Sequence, residues 1–199
     1  MANKPLDTAF LDRAIQFAVK AHAGTERRGK GFPYIVHPME AVSIAATITS
    51  DQEILAAAAL HDTVEDTDVT IDQIRSEFGE RVASLVKAET DIVFENRSDE
   101  DSWHDRKQAA IDRLAAVSRD AKIVAMGDKL SNMRAIARDQ YIMGDAIWQI
   151  FRVHDPKEHE WHYRGLADSL RELDDTFAFQ EFEWLINRVF GNKNGGHKN

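Results

Sequence analysis

Two histidines and four carboxylates in this sequence are of types, and stand at spacings, that would let them do chemistry together. Residues 56–66 read AAAALHDTVED, four alanines and a leucine interrupted by His61, Asp62, Glu65 and Asp66. Alanine is the best helix former and lets a neighbouring helix approach closely. An imidazole and three carboxylates in the next turn and a half are costly to bury unless something pairs with them. At ~1.5 Å of rise per residue, Glu65 stands roughly 6 Å beyond His61 on one helix face, as Asp66 does beyond Asp62. Adjacent His61 and Asp62 project about 100° apart, which suits two neighbouring positions on one ion. The stretch therefore reads as a divalent-metal site with Glu65 and Asp66 beside it for acid–base work. The competing reading is a helix end with solvated acids and a packed histidine.

Partners elsewhere bear on that choice. His37 opens a helix, and Asp128 ends the apolar run IVAMG, where a buried carboxylate needs a partner. Two imidazoles and two carboxylates, without sulfur, suit an octahedral Mn²⁺ or Fe²⁺ with open water positions better than a closed structural zinc site.

The elements that must position these groups all read as helix. Residues 7–23 carry Phe10, Leu11, Ala14, Ile15, Ala18 and Val19 on one face, with Gly24 placed to end the run. Residues 25–33 (TERRGKGFP) form a loop rich in glycine and positive charge, and a helix over 38–49 follows, proline favouring its start. Ser50 and Asp51 cap the helix that carries the central stretch. Further helices are expected at 71–78, ended by Gly79, and at 81–90, 102–117, 120–138, 141–153 and 158–189. A polar loop is expected at 96–102. Gly127 costs a helix about 1 kcal/mol relative to alanine, so it marks a close backbone approach. Trp148, Phe151, Trp161, Leu166, Leu170, Leu173, Phe177 and Trp184 are the expected core of the C-terminal part. The chain thus reads as all-α, one domain over 1–190 with a disordered tail at 191–199.

Composition narrows the classes. The chain has 199 residues, 43% of them hydrophobic, and no cysteine, which excludes disulfides and thiolate chemistry. No segment approaches the ~20 apolar residues of a membrane span, and the N-terminus lacks the form of a secretory signal. The cytoplasm is the expected compartment, with no membrane partner. A net charge of −9 argues against a nucleic-acid partner. It leaves room for a phosphorylated small molecule held by a local basic cluster.

Four segments, AHAGTERRGKGFPYIVHP, AALHDTVEDT, FGERVASLVKAETD and KIVAMGDKLSNMRAI, carry a resemblance. In order and spacing they resemble the successive motifs of the RelA/SpoT-type hydrolase domain, within the HD superfamily of metal-dependent phosphohydrolases. The likeness extends to the stand-alone small alarmone hydrolases, the group of the metazoan SpoT homologue, and covers about residues 10–138. It implies an HD-domain helical bundle with extra C-terminal helices. It also implies Mn²⁺-dependent release of the 3′-pyrophosphate from guanosine 3′,5′-bis(diphosphate), one ion per chain, Fe²⁺ or another divalent ion being the alternative. Carried over, His37, His61, Asp62 and Asp128 are the metal ligands, and Glu65 and Asp66 handle the attacking water. Arg27 and Arg28 match the pair that borders the nucleotide, and Asn132 the asparagine that contacts the nucleoside. Lys107 and Lys129, like Lys30 and Arg134, would add positive charge near the pyrophosphate, or else sit solvated at the surface. Arg28 in place of lysine, Gly127 in place of alanine and Ser131 in place of a bulkier His or Tyr depart from the family pattern. Tyr34 reads as a packing or hydrogen-bonding residue. The alternatives within reach are a broader nucleotide phosphohydrolase acting on a 5′-nucleotide or NADPH, and a catalytically silent nucleotide sensor. A homo-oligomer is left open.

Overall fold

The computed structural model describes residues 7–90 and 102–191. Most of the polar loop expected at 96–102, and nearly all of the tail expected at 191–199, lie outside the described residues. Among those described, every regular element is a helix, apart from one isolated bridge between Glu26 and Pro33. In order they are α1 (Ala9–Ala21), α2 (Val36–Ala45), α3 (Gln52–Leu60), α4 (Thr63–Asp66), α5 (Ile71–Phe78), α6 (Glu80–Glu89), α7 (Trp103–Ala116), α8 (Arg119–Met143), α9 (Pro156–Ser169) and α10 (Phe177–Phe190). The all-α expectation holds. No helix here is long and apolar enough to cross a membrane. The chain divides into two compact units, Met1–Asp91 with Val117–Ser131, and Ile92–Ala116 with Asn132–Asn199.

The first unit is built around α3. All of its residues from Ile54 to Leu60 are buried, and α1, α2 and α6 pack against it. Small alanine side chains are what permit helices on several sides at once. Its start is secured by Asp51, whose carboxylate accepts from the Glu53 amide at 2.9 Å. Arg81 of α6 bonds Asp51, Glu53 and Asp120 at 2.8, 2.6 and 2.8 Å, tying the beginnings of α3 and α8 together. The opening half of α8, residues 121–128, is buried throughout.

Gly127 is where α8 meets α2. A Cβ there would lie 2.6 Å from the Ala41 carbonyl oxygen. Alanine would gain about 1 kcal/mol of helix propensity, against an overpacking cost of about 1–3 kcal/mol. The obstacle is backbone and has no rotamer to yield, so the clash wins. Gly127→Ala is therefore expected to lower the thermal midpoint; an unchanged or higher midpoint would mean the helices do not approach this closely.

In the second unit α9 packs against both α7 and α10, and three expectations are corrected here. The single helix expected at 158–189 is interrupted by a 3-10 turn at Arg171–Leu173, and Thr176 then caps α10 by accepting from the Phe179 amide at 3.2 Å. Aspartate and threonine near 174–176 favour caps over helix interior. The helix expected at 141–153 is the end of α8 followed by a 3-10 turn at Gly144–Ile150, the change of course taken by Gly144 at φ +61°. Phe177 and Trp184 are not core: they are 76% and 58% exposed. Seven residues apart on α10, they share its outward face, while Phe179, Phe182 and Ile186 point inward.

His159 lies in this unit's aromatic core, with ring centroids 5.4 Å from Trp103, 5.3 Å from Trp148 and 4.8 Å from Phe151. Its Nε2–H donates to the Val153 carbonyl at 2.8 Å. Burial pushes its pKa below the ordinary 6.5, with that bond opposing. As pH falls through about 6.5 the unfolded chain takes up a proton that the folded one refuses, so stability present above that pH is lost below it. The thermal midpoint is expected to drop between about pH 7 and pH 5, and His159→Phe to flatten that slope. A slope identical in the variant would remove His159 as its source.

Candidate metal centre

The site is assembled from three regions of the first unit. After α1 the chain turns back on itself: the Arg27 amide bonds the Phe32 carbonyl at 3.0 Å and the Tyr34 amide the Thr25 carbonyl at 2.9 Å. Gly29 and Gly31, at φ +68° and +70°, make that turn available. It delivers Tyr34 to the start of α2, with buried His37 in the first turn. His61 and Asp62 stand in the short turn between α3 and α4. The expected unbroken helix across them is therefore interrupted, although both residues keep right-handed helical angles. Glu65 and Asp66 follow on α4 and are exposed. Asp128 comes from the buried half of α8.

These side chains converge. His37 Nε2 lies 3.1 Å from Asp128 Oδ1 and 3.3 Å from Asp62 Oδ2. His61 Nε2 lies 3.0 Å from Asp62 Oδ2 and 3.7 Å from Asp128 Oδ1. His37, His61 and Asp128 each offer an atom within 4.8 Å of the others. His61 donates Nδ1–H to the Ala58 carbonyl at 2.9 Å, so in the neutral ring Nε2 carries a bare lone pair. That nitrogen is buried without a hydrogen-bond partner.

A lone pair aimed at two carboxylates repels them, and a cation reconciles all three. Without one, a proton must serve. Burial lowers the affinity of His61 for a proton, but the charges of Asp62 and Asp128 overcome it and raise its pKa well above the ordinary value. Burial works against ionisation of Asp62 and Asp128 too, yet both stay well below the usual carboxylate range. His61 and His37 hold Asp62 down; Lys129, with the two histidines, holds Asp128 down. The donor set fits a hard or borderline divalent ion better than a thiophilic one.

Around this cluster is a ring of supports, of which Tyr34 alone was read from the sequence in its hydrogen-bonding role. The Tyr34 hydroxyl donates to Asp62 Oδ2 at 2.6 Å. Burial, then the carboxylates of Asp62 and Asp66, push the pKa of that phenol far up. Its ring is stacked on His22 at 4.8 Å, with the Arg27 guanidinium 5.2 Å from its centroid. Lys129 Nζ contacts Asp128 Oδ2 and lies 3.3 Å from Oε2 of Glu89, a carboxylate only 6% exposed. Burial raises the pKa of Glu89 against the pull of Lys129. Ser131 Oγ sits 2.8 Å from His37 Nδ1 and 2.7 Å from Glu40 Oε2. A signal for the last existed: Glu40 follows His37, and Ser131 follows Asp128, by three residues on one helix, the spacing that puts side chains on a shared face.

Of the residues expected to meet substrate, Arg27 is half-buried beside Tyr34 and Arg28 is exposed. Asn132 follows Asp128 by one turn of α8, and Lys107 stands on α7 in the second unit.

Comparison with known proteins adds a context. Residues 14–152 match the HD domain family. The chain is 38% identical to human guanosine-3′,5′-bis(diphosphate) 3′-pyrophosphohydrolase MESH1, over 85% of its own length and 92% of that protein. It is 34% identical to a protein of Aquifex aeolicus named guanosine-3′,5′-bis(diphosphate) 3′-pyrophosphohydrolase, over 68% of its own length, but spans only 19% of that relative. A solved structure described as a metazoan ortholog of SpoT that hydrolyzes ppGpp superposes with a TM-score of 0.75, covering 95% of this chain and all of that one at 22% identity. That last likeness is one of fold.

Proposed function

Because the chain belongs to the HD domain family, we propose that it is a Mn²⁺-dependent hydrolase that removes the 3′-pyrophosphate of guanosine 3′,5′-bis(diphosphate). The observation that carries the metal half of this reading is His61 Nε2, a buried lone pair with no partner, facing Asp62 and Asp128. The substrate half is supported by the relative that shares nearly its whole length with this chain.

His37, His61, Asp62 and Asp128 would hold the ion. When bound, it lowers the pKa of a water and polarises a phosphoryl oxygen. The chain's own groups do the rest. Glu65, exposed on α4 one turn beyond His61, accepts the water's proton and aims its oxygen at phosphorus. Asp66, the next residue of α4, shares that task or stands in for Glu65, and its charge bears on the buried Tyr34 phenol that bonds Asp62. Arg27 presents a planar guanidinium that suits both a phosphate and the face of a purine. Arg28, exposed beside it in the same loop, extends that contact. Lys129 is committed to Asp128 and Glu89, and offsets their negative charge. Water adds to the 3′-phosphorus, the bond to the ribose oxygen breaks, and the proton taken from water ends on that oxygen, releasing pyrophosphate and guanosine 5′-diphosphate with a free 3′-hydroxyl.

The test is turnover of purified protein with added Mn²⁺, across guanosine 3′,5′-bis(diphosphate), 5′-nucleotides and NADPH, the liberated group identified by chromatography. Pyrophosphate from the first alone, stopped by chelation, is the expected result. Orthophosphate from NADPH or a 5′-nucleotide in its place would move the activity to another substrate class.

A further inference from the structure

We propose that Glu40, acting through Ser131, is a positioning residue that holds His37 in the one tautomer able to offer Nε2 to a divalent cation. The inference rests on the metal reading above and follows from proton counting. An ionised carboxylate only accepts, so the Ser131 hydroxyl spends its single hydrogen on Glu40 Oε2, 2.7 Å away. Toward His37 Nδ1, at 2.8 Å, Ser131 Oγ then has only lone pairs to give. His37 Nδ1 must carry the hydrogen. In the neutral ring Nε2 is left bare, on the side of Asp62 and Asp128.

The reverse arrangement shows what Glu40 prevents. With no carboxylate to take it, the Ser131 hydrogen can turn onto His37 Nδ1, and the ring proton moves to Nε2. That N–H would point at the two carboxylates and occupy the place of the ion. A histidine that binds a metal commonly donates its other N–H to a carboxylate or carbonyl, which fixes the ring and raises its basicity. His61 does this directly through Ala58; His37 does it at one remove, through a serine that is 2% exposed. The helices make the relay rigid. α2 carries His37 and Glu40 on one face, and α8 carries Asp128 and Ser131 on one face. The two backbones touch at Ala41 and Gly127, so ligand and support are set by the same contact.

Mn²⁺ binding to the otherwise metal-free protein, read by titration calorimetry, tests this without reference to turnover. Glu40→Ala and Ser131→Ala are each expected to weaken Mn²⁺ by about 10–100-fold. The double variant should bind no worse than either single one, because both cut the same relay. Ser131→Thr, which keeps the hydroxyl, should restore most of the affinity, which a mere loss of packing would not predict. If Glu40→Ala fails to fold, Glu40→Gln serves: its carbonyl can still accept while its amide competes to donate, so an intermediate loss is expected. Unchanged affinity in Glu40→Ala or Glu40→Gln, or losses that sum in the double variant, would overturn the relay. His61→Ala separates the two failures. If it loses Mn²⁺ while Glu40→Ala does not, the relay alone is wrong; if wild type and His61→Ala bind Mn²⁺ alike, the metal reading falls first and takes the relay with it.

Discussion

Replacing His61 with alanine is expected to abolish saturable Mn²⁺ binding at concentrations that fill the wild-type site, and to lower turnover by ~10³-fold or more. The magnitude follows from what is removed. A catalytic metal contributes several kcal/mol to the transition state, and each ~1.4 kcal/mol is a factor of ten in rate. His61 is also one of the positive charges that keep Asp62 and Asp128 ionised in the metal-free protein. Its loss removes one of the groups that offset two buried carboxylates, leaving Asp62 with His37 and Asp128 with His37 and Lys129, a destabilising change. The variant should therefore also melt earlier, and Mn²⁺ should no longer raise its midpoint as a ligand of the folded state does. Two measurements decide the matter: a calorimetric Mn²⁺ titration, and thermal scans with and without the ion. Mn²⁺-dependent turnover that survived in His61→Ala would remove the imidazole from the site's chemistry.

The second large effect is expected at Glu65. Glu65→Gln keeps size and hydrogen-bonding reach but cannot take a proton, so turnover should fall by about 10²–10⁴-fold, the usual contribution of a general base. Mn²⁺ affinity should hardly change, since Glu65 is not among the atoms that converge on His37, His61 and Asp128. The contrast with Asp66→Asn is the informative one. The charge of Asp66 bears on the buried Tyr34 phenol that bonds Asp62, so its replacement should disturb metal affinity along with rate. Equal losses in rate from both variants, with metal affinity unchanged in both, would make the two carboxylates a shared base. A larger rate loss at Asp66 than at Glu65 would exchange their roles.

Much of the fold was open to reading because helical periodicity is local. The apolar face of residues 9–21, the alanine run of α3 and the stop at Gly79 each follow from side chains within a few positions of one another. The reading failed where Gly144 was passed over and where a helix had to end for reasons weaker than glycine or proline. At 171–176, aspartates and a threonine broke what an aromatic stripe had made look continuous, and that stripe itself misplaced Phe177 and Trp184 in the core. Aromatic residues report burial only once the helix's inner face is known.

The candidate site divides along the same line. Residue type and order were enough to single out His37, His61, Asp62 and Asp128, because imidazole and carboxylate are costly to bury and a cation repays that cost. Sequence alone could not tell which cations and hydrogens were already committed. Lys129 read as positive charge near the pyrophosphate or as a solvated surface residue; folding sets its ammonium against Asp128 and Glu89. Ser131 read as a departure from a pattern; folding makes it the link between Glu40 and His37. A hydrogen bond depends on distances of a few tenths of an ångström between groups up to 94 residues apart, and only the packing of α2 against α8 determines those distances.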